Sequence, residues 1–217
     1  TFDREGLMFG FRETGSYFDD STGARIFTIN GQKLFVRGAN WIASDGMLRL
    51  SQSRYDAEVK MHAEMNINMI RVWGGSITER PEFYDACDRN GILVWQDLWI
   101  TGDCNGRWRD TVRKADSQEL RRRYPDDDSL FLRSVEDQIR MLRNHPSLYL
   151  ICGGNEFPPP EGLDTLIPKR LQELDGSRIY LDESTSASLT RNTIGGTADG
   201  PYNIKEPLWF FNEKWHP

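Results

Sequence analysis

Two periodicities alternate along this chain. Short apolar runs occur at Met69-Ile70-Arg71-Val72-Trp73, Ile92-Leu93-Val94-Trp95, Leu148-Tyr149-Leu150-Ile151-Cys152 and Arg178-Ile179-Tyr180-Leu181. Runs this short, bounded by turn signals, read as buried strands. Between them apolar residues recur at three- and four-residue steps, the spacing that lines one face of a helix. Tyr55, Val59, His62 and Met65 predict a helix over 53–66, with Ser53 and Asp56 resembling a capping box. Phe83, Tyr84 and Cys87 give the inner face of a second helix, capped by Thr78, carrying Pro81 in its first turn and stopped by Asn90-Gly91. Phe131, Val135, Ile139 and Leu142 mark a third over 129–143, ended by His145-Pro146. Leu163 to Leu174 forms a fourth, ended by Asp175-Gly176. Upstream, Asn30-Gly31 sits between Ile26–Asn30 and Lys33–Val36 and signals a hairpin, whose second arm runs into Arg37-Gly38-Ala39-Asn40-Trp41.

The strand candidates fall at about 34–37, 69–73, 92–96, 148–152 and 178–181. Strands alternating with helices imply a mostly parallel sheet with the helices outside it. A complete eight-stranded barrel takes about 250 residues, and the first part of this chain is spent on the hairpin and what precedes it. A doubly wound open sheet needs fewer strands, but no Gly-x-Gly-x-x-Gly fingerprint follows the first one. The expected fold is therefore α/β, the N-terminal portion (about strands 1–5 or 6) of a (β/α)8 barrel. Residues 99–128 break the rhythm with a long polar loop carrying Arg121-Arg122-Arg123 and Asp126-Asp127-Asp128. Loops of this length in compact domains tend to be lids or walls of sites, although like-charge blocks are usually solvated surface.

Composition narrows the function classes. The 217 residues are 38% hydrophobic, with seven Trp and eleven Phe, enough to supply a core. A net charge of -6 argues against a binder of phosphate backbones, so no nucleic acid partner is expected. No apolar run approaches the ~18 residues of a membrane span, so no membrane partner is expected either. Thr1-Phe2-Asp3-Arg4 does not open a signal peptide. Cys87, Cys104 and Cys152 are too few for a disulfide framework and lack zinc-finger spacing; Cys87 and Cys152 read as small core residues. His62, His145 and His216 are scattered and form no metal set, so neither a metal nor a cofactor is expected. There is no Gly-x-Ser-x-Gly elbow, and no asparagine begins a glycosylation sequon.

The candidate chemistry gathers at strand ends. In Leu148 to Glu156, reading LYLICGGNE, a buried run passes through two glycines and delivers Asn155 and Glu156 at its tip. Catalytic groups of parallel barrels sit at such C-terminal strand ends; the alternative for Glu156 is an ordinary salt bridge to a neighbouring strand. The other tips carry Asn40 and Trp41, Arg71 and Trp73, and Gln96 and Asp97, with Trp99 and Trp108 in the long loop. Indole faces beside amide, guanidinium and carboxylate groups suit a sugar, whose C–H patches stack on rings while its hydroxyls need donors and acceptors. Each Trp taken alone is more often core than ligand platform.

At these residues the chain resembles a known family. RGANW (37–41), MIRVWGG (69–75), LVWQD (93–97) and NHPSLYLICGGNE (144–156) are similar to the catalytic TIM barrel of glycoside hydrolase family 2, in the branch of β-mannosidases and exo-β-glucosaminidases. ERPEFYDACD (79–88), WQDLWITGD (95–103) and DGPYNI (199–204) bring it nearest the plant endo-β-mannosidases that act on mannosylglycoproteins. The resemblance covers nearly the whole chain from Phe11 on.

That resemblance implies a retaining hydrolase acting on an oligosaccharide, with β-mannosidic Manβ1-4GlcNAc of N-glycans as substrate, and exo-β-mannosidase or exo-β-glucosaminidase action as the alternatives. Glu156 would be the general acid/base, its pKa raised by burial and by a second carboxylate. Asn155 would bind the sugar's 2-hydroxyl. Asn40, Trp41, Arg71, Trp73 and Asp97 would hold the sugar at the cleavage point, and Trp99, Asp103 and Tyr202 the far side. Residues 1–25 would lead in from a preceding β-sandwich domain and 26–217 form part of the barrel. Retention needs a nucleophilic carboxylate ~5–5.5 Å from the first. Glu183, Glu206 and Glu213 do not sit in the family's nucleophile motif, which the resemblance puts shortly beyond Pro217. The chain alone is therefore expected to be inactive, one piece of a processed precursor whose other polypeptides complete the barrel and add β-sandwich domains. Family membership carries an expectation of vacuolar or extracellular residence. The rival of another class is a non-enzymatic carbohydrate-binding or storage protein built on the same half barrel.

Overall fold

The computed structural model describes residues 9–101, 125, 127–156 and 158–184. In chain order the elements are β1 (Thr14–Phe18), β2 (Arg25–Ile29), β3 (Gln32–Leu34), β4 (Gly38–Trp41), α1 (Gln52–Glu64), β5 (Met69–Val72), α2 (Pro81–Asn90), β6 (Leu93–Asp97), α3 (Asp128–Leu142), β7 (Leu148–Gly154), α4 (Glu161–Leu174) and β8 (Ile179–Glu183). The first three strands make an antiparallel sheet in the order β1-β2-β3. The other five make a second sheet in the order β4-β5-β6-β7-β8, parallel throughout. Neighbours in sequence are neighbours in space, which is the winding of a barrel rather than of a doubly wound sheet. Among the described residues β4 and β8 each pair on one side only.

The expected elements form, with some boundaries moved. The first parallel strand starts at Gly38, not near residue 34, because Gln32–Leu34 is claimed by the hairpin with β2. Asn68 manages the change of sheet: its Oδ1 accepts from the Arg37 amide at 2.8 Å and its Nδ2 donates to the Phe35 carbonyl at 2.9 Å. Helix α1 is capped by Ser51, whose Oγ accepts from the Arg54 amide, and not by Ser53. Helix α2 begins at Pro81 after Arg80; Thr78 instead receives a 2.6 Å hydrogen bond from Gln138 of α3. Strand β1 falls inside the stretch expected as a lead-in and pairs with β2, so the antiparallel sheet straddles the boundary expected at residue 25.

Among the parallel strands β5, β6 and β7 are buried on both faces apart from Arg71, which is why they read as continuous apolar runs, while β4 and β8 are more exposed. Their outer face, with Ile70, Val72, Val94 and Ile151, packs against Tyr55 and Val59 of α1, Phe83 of α2, Val135 and Ile139 of α3, and Ile167 of α4. Their inner face, with Met69, Leu93, Trp95, Leu150, Cys152 and Leu181, packs against Phe27 of β2. The antiparallel sheet thus covers the N-terminal ends of the barrel strands. A register shift helps it to do so: Val94 pairs with Leu148 and Trp95 with Leu150, leaving Tyr149 as the extra residue of a bulge. Tyr149 and Leu150 both join the inner cluster, and the Tyr149 hydroxyl lies 2.9 Å and 2.8 Å from the carbonyls of Gly15 and Thr28, sharing its proton between β1 and β2. Cys87 and Cys152 are buried free thiols. Among the described residues no helix is long and apolar enough to cross a membrane.

Candidate active site

Strand alternation decides which side chains meet. On β6, Leu93, Trp95 and Asp97 point inward while Val94 and Gln96 point to the helices, where Gln96 accepts from the Tyr84 hydroxyl at 2.6 Å. The parallel register then sets Asn40 beside Arg71 and Arg71 beside Trp95 on the inner face. Asp97 closes this row at the C-terminal end of β6.

Arg71 is the hub. Its Nη2 donates to Asp97 Oδ2 and to Asn155 Oδ1, both at 2.6 Å, its Nε to Asp97 Oδ1 at 3.2 Å and its Nη1 to Asn40 Oδ1 at 3.3 Å. Asp97 also accepts from the Trp95 indole at 2.8 Å and from the Gly74 amide at 3.2 Å. Asn155 donates from Nδ2 to Thr101 Oγ1 at 3.3 Å. Four strands are thereby tied at one point. Burial pushes the Asp97 carboxyl up, and the charge and hydrogen bonds of Arg71, with the Trp95 and Gly74 N–H groups, oppose it. The Asp97 side chain is 0% exposed and that of Arg71 13% exposed, so of this ion pair only Arg71 reaches the open space above. A cavity of about 430 Å³ opens on this inner face, lined by Gly38, Asn40, Met69, Arg71 and Trp95 among others.

The candidate acid/base follows directly. Asn155 is nine-tenths buried, but Glu156 beside it is exposed and adopts φ +66°, a left-handed backbone that non-glycine residues rarely take. Its amide donates to Ser184 Oγ at 3.2 Å, just past the end of β8. The burial expected of Glu156 is not supplied by the described residues.

The structure brings Asn40, Arg71, Asp97 and Asn155 together and sets Glu156 at their edge. It sends other expected residues elsewhere. Trp41 is corrected from sugar contact to core: it faces the helices, packs 4.8 Å from the Phe83 ring and donates Nε1 to Glu79 at 2.8 Å. Asp97 is corrected from direct sugar contact to the group that holds Arg71, since it has no accessible surface. Trp99 packs edge-on against Phe131, 5.9 Å between centroids. Trp73 is half-buried, its ring lying where a Cβ on Gly75 would be, outside the hydrogen-bonded cluster. Asp103 and Tyr202 lie outside the described residues, as does most of the long loop. Three participants were not singled out from sequence: Trp95 and Gly74, which hold Asp97, and Glu79, buried behind β4 and accepting from Trp41 and the Tyr55 hydroxyl. Alternation with Asp97 was enough to find Trp95. Among the described residues one group has metal-ligand spacing, Asp85, Asp88 and His145, at the opposite end of the strands. Both Asp88 oxygens there are occupied, by His145 Nδ1 at 2.7 Å and the Ser147 amide at 2.9 Å.

Consecutive parallel strands in sequential order are the winding of a (β/α)8 barrel, and the polar cluster lies on the C-terminal face where such barrels carry their sites. Residues 22–196 match the TIM barrel domain of the glycosyl hydrolases family 2, and the chain belongs to that family. It is 43% identical over 96% of its length to a mannosylglycoprotein endo-beta-mannosidase of Lilium longiflorum, of which it covers 24%. A beta-mannosidase B of Thermothelomyces thermophilus is 36% identical over 64% of the chain and 15% of the relative. Among solved structures, the Beta-D-Mannosidase of Dictyoglomus thermophilum superposes with a TM-score of 0.63 at 31% identity, over 81% of this chain and 22% of that one. The exo-chitosanase CsxA of Amycolatopsis orientalis gives a TM-score of 0.75 at 21% identity, a likeness of fold. The chain spans about a quarter or less of the length of these relatives.

Proposed function

We propose that this chain supplies the acid/base half of a retaining β-mannosidase, and that the complete enzyme cleaves Manβ1-4GlcNAc linkages of N-glycans. The observation that carries the reading is the Arg71-centred cluster at the strand tips, with Asn155 and Glu156 at its edge. The identity to the Lilium longiflorum enzyme supports the choice of glycan. In this reading Asn40, Arg71 and Asn155 present a rigid row of amide and guanidinium groups to the hydroxyls of the bound mannose. Glu156, exposed beside them, protonates the glycosidic oxygen as the bond to the sugar breaks, then removes a proton from the incoming water. A second carboxylate, from a part of the enzyme outside the described residues, attacks the anomeric carbon. Other polypeptides of the same precursor complete the barrel and add β-sandwich domains.

Glu156→Gln in the complete protein tests this. The amide keeps the shape but neither donates nor relays the proton, so turnover falls by about 10²–10⁴-fold while the substrate still binds. Full activity of the variant would refute the role.

A further inference from the structure

The backbone of Glu156 is held by the residue that follows the next strand. Glu156 is one of four non-glycine residues with positive φ among those described, and the other three, Asn30, Leu48 and Asn66, lie in turns. A glutamate gains nothing locally from φ +66°, so something outside the residue must hold it there. Two contacts do. The Glu156 amide donates to Ser184 Oγ at 3.2 Å, and the Ser184 amide donates to the Gly154 carbonyl at 3.1 Å, so Ser184 grips the chain on either side of Asn155. Ser184 is itself anchored: it is 3% exposed and follows Glu183, which pairs with Gly154 in the β7–β8 ladder. The approach of the two segments is close. A Cβ on Gly153 would overlap the Tyr180 hydroxyl and lie 2.5 Å from the Asp182 carbonyl oxygen and 2.8 Å from Pro159 Cδ. β8 thus acts as a fixed rail against which the end of β7 is set.

We infer that Ser184 is a positioning residue for proton transfer, its hydroxyl oxygen fixing the left-handed backbone from which the Glu156 side chain is presented. The inference rests on the reading of Glu156 as the acid/base. Loss of the hydroxyl frees the peptide between Asn155 and Glu156 to relax toward ordinary φ, and a carboxyl displaced by a fraction of an ångström transfers protons poorly.

The test uses the complete protein, with kcat/KM measured on two aryl glycosides of the glycone it accepts. The phenyl glycoside needs a proton on its leaving oxygen as the bond breaks, whereas the dinitrophenyl glycoside departs as a stable phenolate and needs none. Ser184→Ala is expected to lose about tenfold on the phenyl glycoside and less than about twofold on the dinitrophenyl glycoside. Ser184→Cys, nearly the same size but a weak acceptor, should show the same selective loss, and Ser184→Thr should recover the phenyl activity. Equal losses on both glycosides, or no loss on either, overturn the positioning role while leaving Glu156 as the acid/base. Full activity of Glu156→Gln overturns the reading beneath it, whatever Ser184 variants do.

Discussion

Gly74 is where a single hydrogen atom decides whether the polar cluster can form. Its amide reaches Asp97 Oδ2 at 3.2 Å, and a Cβ in its place would overlap the Leu98 carbonyl oxygen and lie 3.2 Å from Asp97 Cβ. The obstacle is backbone, which cannot swing aside. Gly74→Ala is therefore expected to destabilise the protein by about 1–3 kcal/mol, the usual size of an overpacking penalty. A urea titration should find a lower midpoint with an unchanged slope; an unaltered midpoint would mean that the loop after β5 yields. At this scale much of the site was legible and one part was misread. Arg71, Asp97 and Asn155 were visible as polar residues at the ends of apolar runs. Trp41 was taken with Asn40 although neighbours on a strand face opposite ways, and with Asn40 in the cluster Trp41 had to face the helices. Trp95 was passed over by the same neglect. Asp103 and Tyr202 stay as expectations.

Elements, not single residues, hold the barrel strands in register, and the turn between α3 and β7 is the clearest case. Asp88 of α2 accepts from His145 and Ser147 of that turn. From the other side Arg12 donates to the Pro146 and Leu148 carbonyls at 2.6 Å and 2.8 Å, and Arg178 donates to the His145 carbonyl at 2.7 Å. Burial, with the charge of Arg178, lowers the Arg12 pKa to about 10. Burial alone would raise the Asp88 carboxyl, but the hydrogen bonds from His145 and Ser147 outweigh it and hold the pKa below the usual carboxylate value. A carboxyl depressed in the folded state stabilises above its unfolded pKa of about 3.9 and loses that effect as pH falls through the lower folded value. Asp88→Asn should accordingly melt below the wild type at pH 7, with the gap closing under about pH 4. A gap that is constant with pH would assign the loss to packing. The helices and parallel strands were readable because each carries its own period and stop signal, as Asn90-Gly91 does with Gly91 at φ +67°. The switch from β3 to β4 was not, since neither a turn nor a bend separates Leu34 from Gly38 and the two strands differ in their partners.

At the scale of the molecule, five consecutive barrel strands stand with an inner face that carries Trp95, Arg71 and a cavity of about 430 Å³. Strands β4 and β8 pair on one side each among the described residues, and unpaired strand edges are avoided in stable proteins. On the reading proposed above, in which other polypeptides complete the barrel, the native particle is much heavier than 25.1 kDa and releases chains of other sizes when denatured. A single species of 25.1 kDa would instead favour a half-barrel binder over a hydrolase. The pattern of apolar runs and helical stripes was enough to establish the α/β class and its parallel strands, because burial on one or two faces writes its period directly into the chain, whereas the family came from the resemblance of the strand-end motifs. The site divided differently. Which polar residues stand at strand ends is a property of position along the sequence. Which of them share a face, how Arg71 gathers three strands' side chains, and how Ser184 holds Glu156 left-handed depend on register between strands separated by up to 84 residues. Nothing local encodes that register; packing of the folded sheet decides it.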